Sequence, residues 1–529
     1  MFLADIFQLE NWPTGYFLAS AGLAAFWALE NFLVQAALFD LPPITRHPRI
    51  YQFMRLSINL VAAGIIVLAF NRPWLTLIAA LNFGLSLIVI AYGQYFHRAC
   101  SLYYAVKNIR EGLKVSSFAF HIIPPIAWAG LLSSLVFKIF LIFQIQPQPV
   151  SFHGNGLALG FLLLLLFALI MFLQYTSFRF KSMGITSITR AVFAYGYVNS
   201  WIAEFFVAPD TRQVVNELAE LQKVSPDRLT ATEPAWPVGD KVVVLQLESF
   251  GWNVVNHHIN GREVTPYFNS LVHSSRLFKI QAYHAIGTAD MDYAVLSGGT
   301  PSPHLISYFV PDIDYTNALP RFMQQHGFRT VALHGATGEF YSRRNNFVRM
   351  GFDEIQFRED FRGRPVKHSY WGVRDEELFR ISSEKMRNAR GPEFHFIITL
   401  DTHGPFNLIH EDEKEIFPGS PIWQENYFNS MHALDRNLRD YVESLPTGTT
   451  VILYGDHTSG VEYDTFKPAR EGDVEYVPCL VHVRRAPESW PAVETTPSSL
   501  PSDLRMLDVM NFLRRQVARE QKPASSLVA

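Results

Sequence analysis

The chain has 529 residues, a net charge of −3 and 18% charged residues. That length exceeds a single hydrophobic core, so at least two domains are expected. The balanced charge, with no basic stripe, argues against a nucleic-acid partner, and two cysteines, Cys100 and Cys479, are too few for a disulfide framework.

Apolar residues crowd into the first third. Five stretches there are long and apolar enough to span a bilayer: 16–38, 56–70, 74–95, 126–145 and 157–175, the second short and extendable at its start. No cleavable signal peptide is expected, because the first ten residues are acidic and no small-residue cleavage site follows the first apolar stretch. Glu30 and Lys138 fall inside spans, where a charge marks either a functional site or a pair between helices. Basic residues follow the first span (Arg46, Arg49, Arg55), the third (Arg98, Lys107, Arg110, Lys114) and the fifth (Arg179, Lys181, Arg190), with little beyond Arg72 on the other side. Taken alone, the positive-inside rule then places the rest of the chain in the cytoplasm. A sixth span over 186–207, or an interfacial segment over 98–114, would reverse that placement.

A polar stretch over 208–238 carries four prolines and reads as a helix (211–222) followed by a linker. From Lys241 the pattern alternates. Strands are expected at 241–247, 329–334, 394–400, 450–454 and 476–483, with helices at 265–274, 319–326, 375–388 and 423–443. The segment 502–520 reads as a last helix with Ser502 as its N-cap, and 521–529 as a frayed tail. The fold class that follows is a membrane α-helical domain and then an α/β domain, with a mostly parallel sheet covered by helices on both faces. The expected division is a transmembrane domain of about five helices over 1–178, a juxtamembrane segment and linker over 179–238, a catalytic domain over 239–520 and a tail over 521–529.

The chemistry gathers at strand ends. Glu248 follows the run Val242-Val243-Val244-Leu245, and Gly455-Asp456-His457 follows Val451-Ile452-Leu453-Tyr454. Open α/β sheets build their sites at such carboxyl ends. A carboxylate there needs a cap, an ion pair or a metal; two carboxylates and an imidazole suit Mn²⁺, Zn²⁺ or Mg²⁺. Gly455 is expected to permit a sharp turn. Thr288, in Gly287-Thr288-Ala289-Asp290, reads as an N-cap, as a nucleophile activated by that metal, or as both, since a helix amino terminus also favours an incoming phosphate. His334 and His403 end two further strands, and Arg343 could clamp a phosphate oxygen bidentately.

The ordered blocks Gln246-Leu247-Glu248-Ser249, Gly287-Thr288-Ala289-Asp290, His334-Gly335 with Phe340-Tyr341-Ser342-Arg343, Trp371-Gly372-Val373-Arg374-Asp375, His403-Gly404-Pro405-Phe406 and Gly455-Asp456-His457 resemble the lipoteichoic-acid-synthase-like, phosphoglycerol-transferase branch of the alkaline phosphatase and sulfatase superfamily. The resemblance implies an alkaline phosphatase/sulfatase-like fold and one divalent metal, Mn²⁺ first, on Glu248, Thr288, Asp456 and His457. Thr288 would be the nucleophile. Arg343 and His403 would act on the phosphate or leaving group, and Tyr341 and His334 would help bind substrate. It implies a multi-pass protein of the cell (inner) membrane with its catalytic domain on the extracytoplasmic side, against the charge count above. It also implies a phospholipid donor and a glycan or polymer acceptor. Tyr341 stands where the family commonly has Trp, and Ala336 and Thr337 lie where a polar or acidic residue is common. No cysteine lies in the Cys-x-Pro-x-Arg context of sulfatases, and the disulfides usual in lipid A phosphoethanolamine transferases cannot form. A hydrolase using the same site, a sulfatase or phosphodiesterase, is the nearest alternative. A catalytically inactive membrane binding partner and a transporter are the readings of another class.

Overall fold

The computed structural model describes residues 14–37, 48–70, 72–96, 99–102, 123–144, 197, 200–201, 238–284, 287–302, 306–310, 313–404, 406, 409–469, 473–484 and 504–520. The chain divides into two compact units, Met1–Ala208 and Pro209–Ala529.

The first unit contains four described helices, α1 (Thr14–Ala37), α2 (Pro48–Ala69), α3 (Arg72–Phe96) and α4 (Pro125–Gln144). They coincide with the first four expected spans, and α2 is extended at its start. Among the described residues, Arg72–Gln94 and Pro125–Gln144 are long and apolar enough to cross a membrane, while the apolar parts of α1 and α2, Leu18–Val34 and Leu56–Val67, are shorter. The candidate spans 157–175 and 186–207 lie outside the described residues, apart from Tyr197, Ser200 and Trp201. Glu30 and Lys138 meet, Nζ to Oε2 at 2.5 Å, with Lys138 fully buried and 5.2 Å from the Trp27 ring centroid. The two charges expected inside spans are therefore a pair between α1 and α4. Each compensates the other's cost of leaving water.

The second unit is an α/β domain. Its elements run β1 (Lys241–Leu247), a short hairpin of β2 (His258–Ile259) and β3 (Arg262–Glu263), α5 (Pro266–Val272), β4 (Arg276–Gln281), α6 (Ala289–Ser297), α7 (Leu319–Gln325), β5 (Arg329–His334), α8 (Arg343–Met350), β6 (Glu354–Gln356), α9 (Asp375–Asn388), β7 (Glu393–Ile398), α10 (Trp423–Ser444), β8 (Thr450–Gly455), β9 (Tyr476–Val483) and α11 (Met506–Glu520). The expected N-cap Ser502 and the tail 521–529 lie outside the described residues, as does the helix at 211–222.

Seven strands form one sheet in the order β4-β9-β8-β1-β7-β5-β6. β1 pairs in parallel with β7 and β8, β5 in parallel with β7 and β6, and only β9 runs against its neighbours. All seven residues of β1 and all six of β8 are buried. That is why both strands read as unbroken apolar runs rather than alternations. On one face Val242, Val244, Phe396 and Ile452 join a core with Met291, Leu319, Phe347 and Leu513 from α6, α7, α8 and α11. On the other, His395 of β7 bonds Ser382 Oγ of α9 at 2.7 Å, and Ser382 bonds Tyr441 of α10 at 2.7 Å. Helices thus cover both faces, and β1, β7 and β8 project adjacent carboxyl ends to one edge, with their backbones about 4.8 Å apart.

Gly455 ends β8, and the reason for glycine differs from the expected turn. Its φ is not positive; the left-handed residue is Ser249, at φ 58°, after β1. What Gly455 permits is close approach, since a Cβ there would lie 1.8 Å from the Phe250 carbonyl oxygen. Gly455→Ala is therefore expected to destabilise the domain by about 3 kcal/mol or more, the upper range for overpacking against rigid backbone. Thermal unfolding of the purified chain checks this; an unchanged midpoint would refute it.

Candidate active site

Glu248 leaves β1 with its backbone fixed from two directions. Its N–H donates to Thr399 Oγ1 at 2.9 Å, and its carbonyl accepts from Thr402 Oγ1 at 2.6 Å. Asp456 and His457 leave β8 next to it. Asp456 Oδ1 accepts from the Ser249 and His457 backbone N–H groups at 2.8 and 2.7 Å, whereas the buried Oδ2 has no hydrogen-bond partner. His457 Nε2 lies 3.3 Å from Glu248 Oε1, 3.6 Å from Asp456 Oδ2 and 3.4 Å from Thr288 Oγ1. Its Nδ1 is 2.8 Å from the Thr458 carbonyl, to which it donates, so Nε2 is the nitrogen left for a ligand.

Burial opposes charge on Glu248, yet His403 and His457 hold its carboxyl well below the usual range. Burial and then the neighbouring Glu248 push Asp456 far above its ordinary value. Burial disfavours the His457 imidazolium, but Asp456 and Glu248 raise it to about 10. Two buried carboxylates around one imidazole thus attract positive charge, which protons supply where a metal does not. The orphaned Asp456 Oδ2 and the all-N/O donor set of Glu248, Asp456, His457 and Thr288 fit a hard or borderline divalent cation.

Thr288 immediately precedes α6, but its hydroxyl makes no capping hydrogen bond. Its Oγ1 lies 3.4 Å from His457 Nε2 instead. One helical turn on, Asp292 is fully buried and accepts from Arg343 Nε at 2.6 Å. Burial raises Asp292 to about 6, against the opposing pull of Arg343. Arg343 is itself buried, with Nη2 unpartnered and its guanidinium 5.1 Å from the Tyr341 ring centroid. Tyr341 is held at φ 53°, and its hydroxyl covers Gly287: a Cβ on that glycine would lie 2.8 Å from it.

His403 follows β7. Its Nδ1 donates to the Gly404 carbonyl at 2.7 Å, and its ring packs against Trp371 at 4.5 Å. The Trp371–Asp375 block supports this loop. Trp371 Nε1 donates to the Gly404 carbonyl at 2.9 Å, and Asp375 accepts from the Leu400 and Asp401 N–H groups at 2.8 and 3.0 Å.

His334 ends β5 and donates from Nδ1 to the Ile398 carbonyl at 3.0 Å. Burial, reinforced by Arg343, lowers its pKa to about 3. Unfolded, the ring titrates near 6.5, so protons favour the unfolded chain between these values. The stabilisation is complete above about pH 6.5 and disappears as pH falls toward 3, an effect on the order of 5 kcal/mol. His334→Gln is expected to flatten the fall in unfolding midpoint between pH 6.5 and 4; an equally steep fall would assign the acid sensitivity elsewhere.

Besides Asp292, two residues of the site carry no motif in the sequence. His284, ahead of Thr288, stacks on His457 with centroids 4.2 Å apart and planes at 13°. Glu475, ahead of β9, bonds His284 Nδ1 at 3.0 Å. Burial would raise Glu475, but His284 and then His457 lower it to about 2.

The sulfatase family model matches residues 240–499. The lipoteichoic acid synthase-like protein YvgJ of Bacillus subtilis is 23% identical over 316 residues, covering 56% of this chain and 50% of its own. The lipoteichoic acid synthase of Staphylococcus saprophyticus is 25% identical over 230 residues, 41% of this chain and 35% of its own. The chain thus spans half or less of the length of these curated relatives. Among solved structures, the integral membrane protein lipooligosaccharide phosphoethanolamine transferase A of Neisseria meningitidis shares the fold, with a TM-score of 0.52, 13% identity and 88% of each chain covered. Together with the strand order and the carboxylate and imidazole groups at the ends of β1 and β8, these findings identify residues 240–499 as a domain of the sulfatase family, similar to the corresponding part of lipoteichoic acid synthases.

Proposed function

We propose that the protein is a membrane-anchored phosphotransferase that moves a phospholipid-derived headgroup, phosphoglycerol or phosphoethanolamine, to a hydroxyl of a glycan or polymer. The observation that carries this is the turn of the Thr288 hydroxyl away from a capping role and toward His457 Nε2, 3.4 Å away, beside Glu248 and Asp456. Mn²⁺, or else Mg²⁺ or Zn²⁺, would be held by Glu248, Asp456, His457 and Thr288 Oγ1, and supplies Lewis-acid charge that lowers the hydroxyl's pKa.

In the first displacement Thr288 Oγ1 loses its proton to solvent and bonds to phosphorus. The bond from phosphorus to the diacylglycerol oxygen breaks, and that oxygen takes a proton from His403. Arg343 Nη2, otherwise unpartnered, hydrogen-bonds a non-bridging phosphate oxygen as charge builds there. His334 and Tyr341 border the headgroup. The acceptor hydroxyl then gives its proton to His403 and bonds to phosphorus, the bond from phosphorus to Thr288 Oγ1 breaks, and that oxygen regains a proton from solvent. The apolar helices of the first unit suit a lipid donor, and we place them as a multi-pass anchor with the catalytic domain extracytoplasmic. The transmembrane, linker, catalytic and tail boundaries remain those given from the sequence.

Intact mass after incubation with phosphatidylglycerol or phosphatidylethanolamine tests this. An adduct on the Thr288 peptide is expected, its mass identifying the headgroup. Release of free headgroup alone, with every hydroxyl acceptor supplied, would replace transfer by hydrolysis.

A further inference from the structure

The pair Glu475–His284 has no part in the steps above, yet it touches both sides of the site. Glu475 Oε1 accepts from the Thr458 backbone N–H at 2.5 Å and from Thr458 Oγ1 at 2.7 Å, and Oε2 accepts from His284 Nδ1 at 3.0 Å. The Glu475 carbonyl also accepts from the Ala282 N–H at 2.9 Å. One residue therefore ties down the turn after His457 and the segment that leads to Thr288. The Thr458 carbonyl receives His457 Nδ1–H, and the His284 ring lies flat on the His457 ring. Rotation of the imidazole is opposed at its edge by one contact and at its face by the other.

From this geometry we infer that Glu475 and His284 are positioning residues: they fix the orientation and tautomer of His457, so that Nε2 stays directed at the cation site and Thr288 stays beside it. The inference rests on the proposed metal site. His284, His457 and Glu475 could also be viewed as a second set of ligands. The hydrogen bonds argue against it. His457 Nδ1 is committed to Thr458, His457 Nε2 faces Glu248 and Asp456, and both Glu475 oxygens are engaged. A second ion would have to take Nε2 from the first set. Partners of this kind, one bond beyond a ligating histidine, typically change metal affinity by about 10- to 100-fold when removed.

The test is Mn²⁺ binding to the metal-stripped full chain in detergent, by calorimetry, with the visible spectrum of the Co²⁺-substituted protein as a report on coordination. One ion per chain is expected, with uptake abolished by Asp456→Ala. Glu475→Ala should weaken affinity about 10- to 100-fold and alter the Co²⁺ spectrum. Glu475→Gln, whose amide oxygen still accepts from Thr458, should restore most of both. His284→Ala should also weaken binding, and His284→Phe, which keeps the stacked face, should weaken it less; these two carry the test if Glu475→Ala does not fold. Wild-type affinity and spectrum in the folded Glu475→Ala and His284→Ala proteins, with Asp456→Ala still inactive in binding, would overturn the positioning role alone. Two ions in the wild type falling to one in Glu475→Ala would replace it by a second metal site. A wild-type chain that takes up no Mn²⁺ would overturn the metal site and this role with it.

Discussion

Thr288→Ala is expected to lower headgroup transfer by about 10⁴-fold or more, the scale on which loss of a covalent nucleophile is felt. Fold stability should hardly change. The side chain is only partly buried and its hydroxyl makes no capping bond, so α6 loses no cap when it is removed. Thr288→Ser keeps an oxygen at the same position and should retain measurable transfer. Comparing steady-state transfer rates, the phosphopeptide adduct and the unfolding midpoint for the three proteins separates a nucleophile from a structural threonine. Transfer within tenfold of wild type in Thr288→Ala would assign the chemistry to another group. So would an adduct that persists on another peptide. An unfolded Thr288→Ala protein would contradict the absence of a capping role.

How much of this was legible depended on which physical signal each element carries. β1 and β8 are buried on both faces, so their apolar runs stand out and draw attention to their carboxyl ends, where the structure brings Glu248, Asp456 and His457 together. β4 carries a different pattern. Phe278 and Ile280 are buried, but Lys279 between them is exposed, and the strand pairs only with β9 at the edge of the sheet. Half-buried edge strands are short and polar enough to read as loop. Missing β4 hid His284, which lies in the segment just past it. Glu475 escaped for a topological reason. β9 is antiparallel to β8, so its first residues lie beside the last ones of β8, and a ligand search confined to carboxyl ends passes over an acid ahead of a strand. Asp292 was within reach: four residues beyond Thr288, it shares that residue's helix face, and a carboxylate there is well placed to anchor a cation. The glycine before Asp456 was noticed for the wrong reason, because sequence shows that a side chain is excluded and not which backbone excludes it.

Arg343→Lys is expected to reduce transfer by about 10² to 10³-fold while costing much less stability than Arg343→Ala. The two ends of the guanidinium meet different surroundings. Nε is held by Asp292 at 2.6 Å in a fully buried pair, and Nη2 has no partner although it too is buried. Leaving a buried donor unsatisfied costs about 1–3 kcal/mol, and a structure tolerates that where a ligand supplies the acceptor. Lysine can keep the charge beside Asp292 but has no second, forked donor to offer a phosphate oxygen. Alanine removes the charge entirely and strands the Asp292 carboxylate in the core, a loss on the order of 3–5 kcal/mol. The two substitutions should therefore diverge. Arg343→Lys should fold and bind metal but transfer slowly, and Arg343→Ala should fail first in stability. Asp292→Asn should fall between them, because the amide oxygen still accepts from Nε while the charge that fixes the guanidinium is gone. Transfer kinetics set beside unfolding midpoints decide the matter. If Arg343→Lys loses stability yet keeps its transfer rate, Arg343 is a strut between α8 and α6 and the phosphate must be clamped by something else. If rate falls while stability holds, the free end of the guanidinium is what the substrate meets.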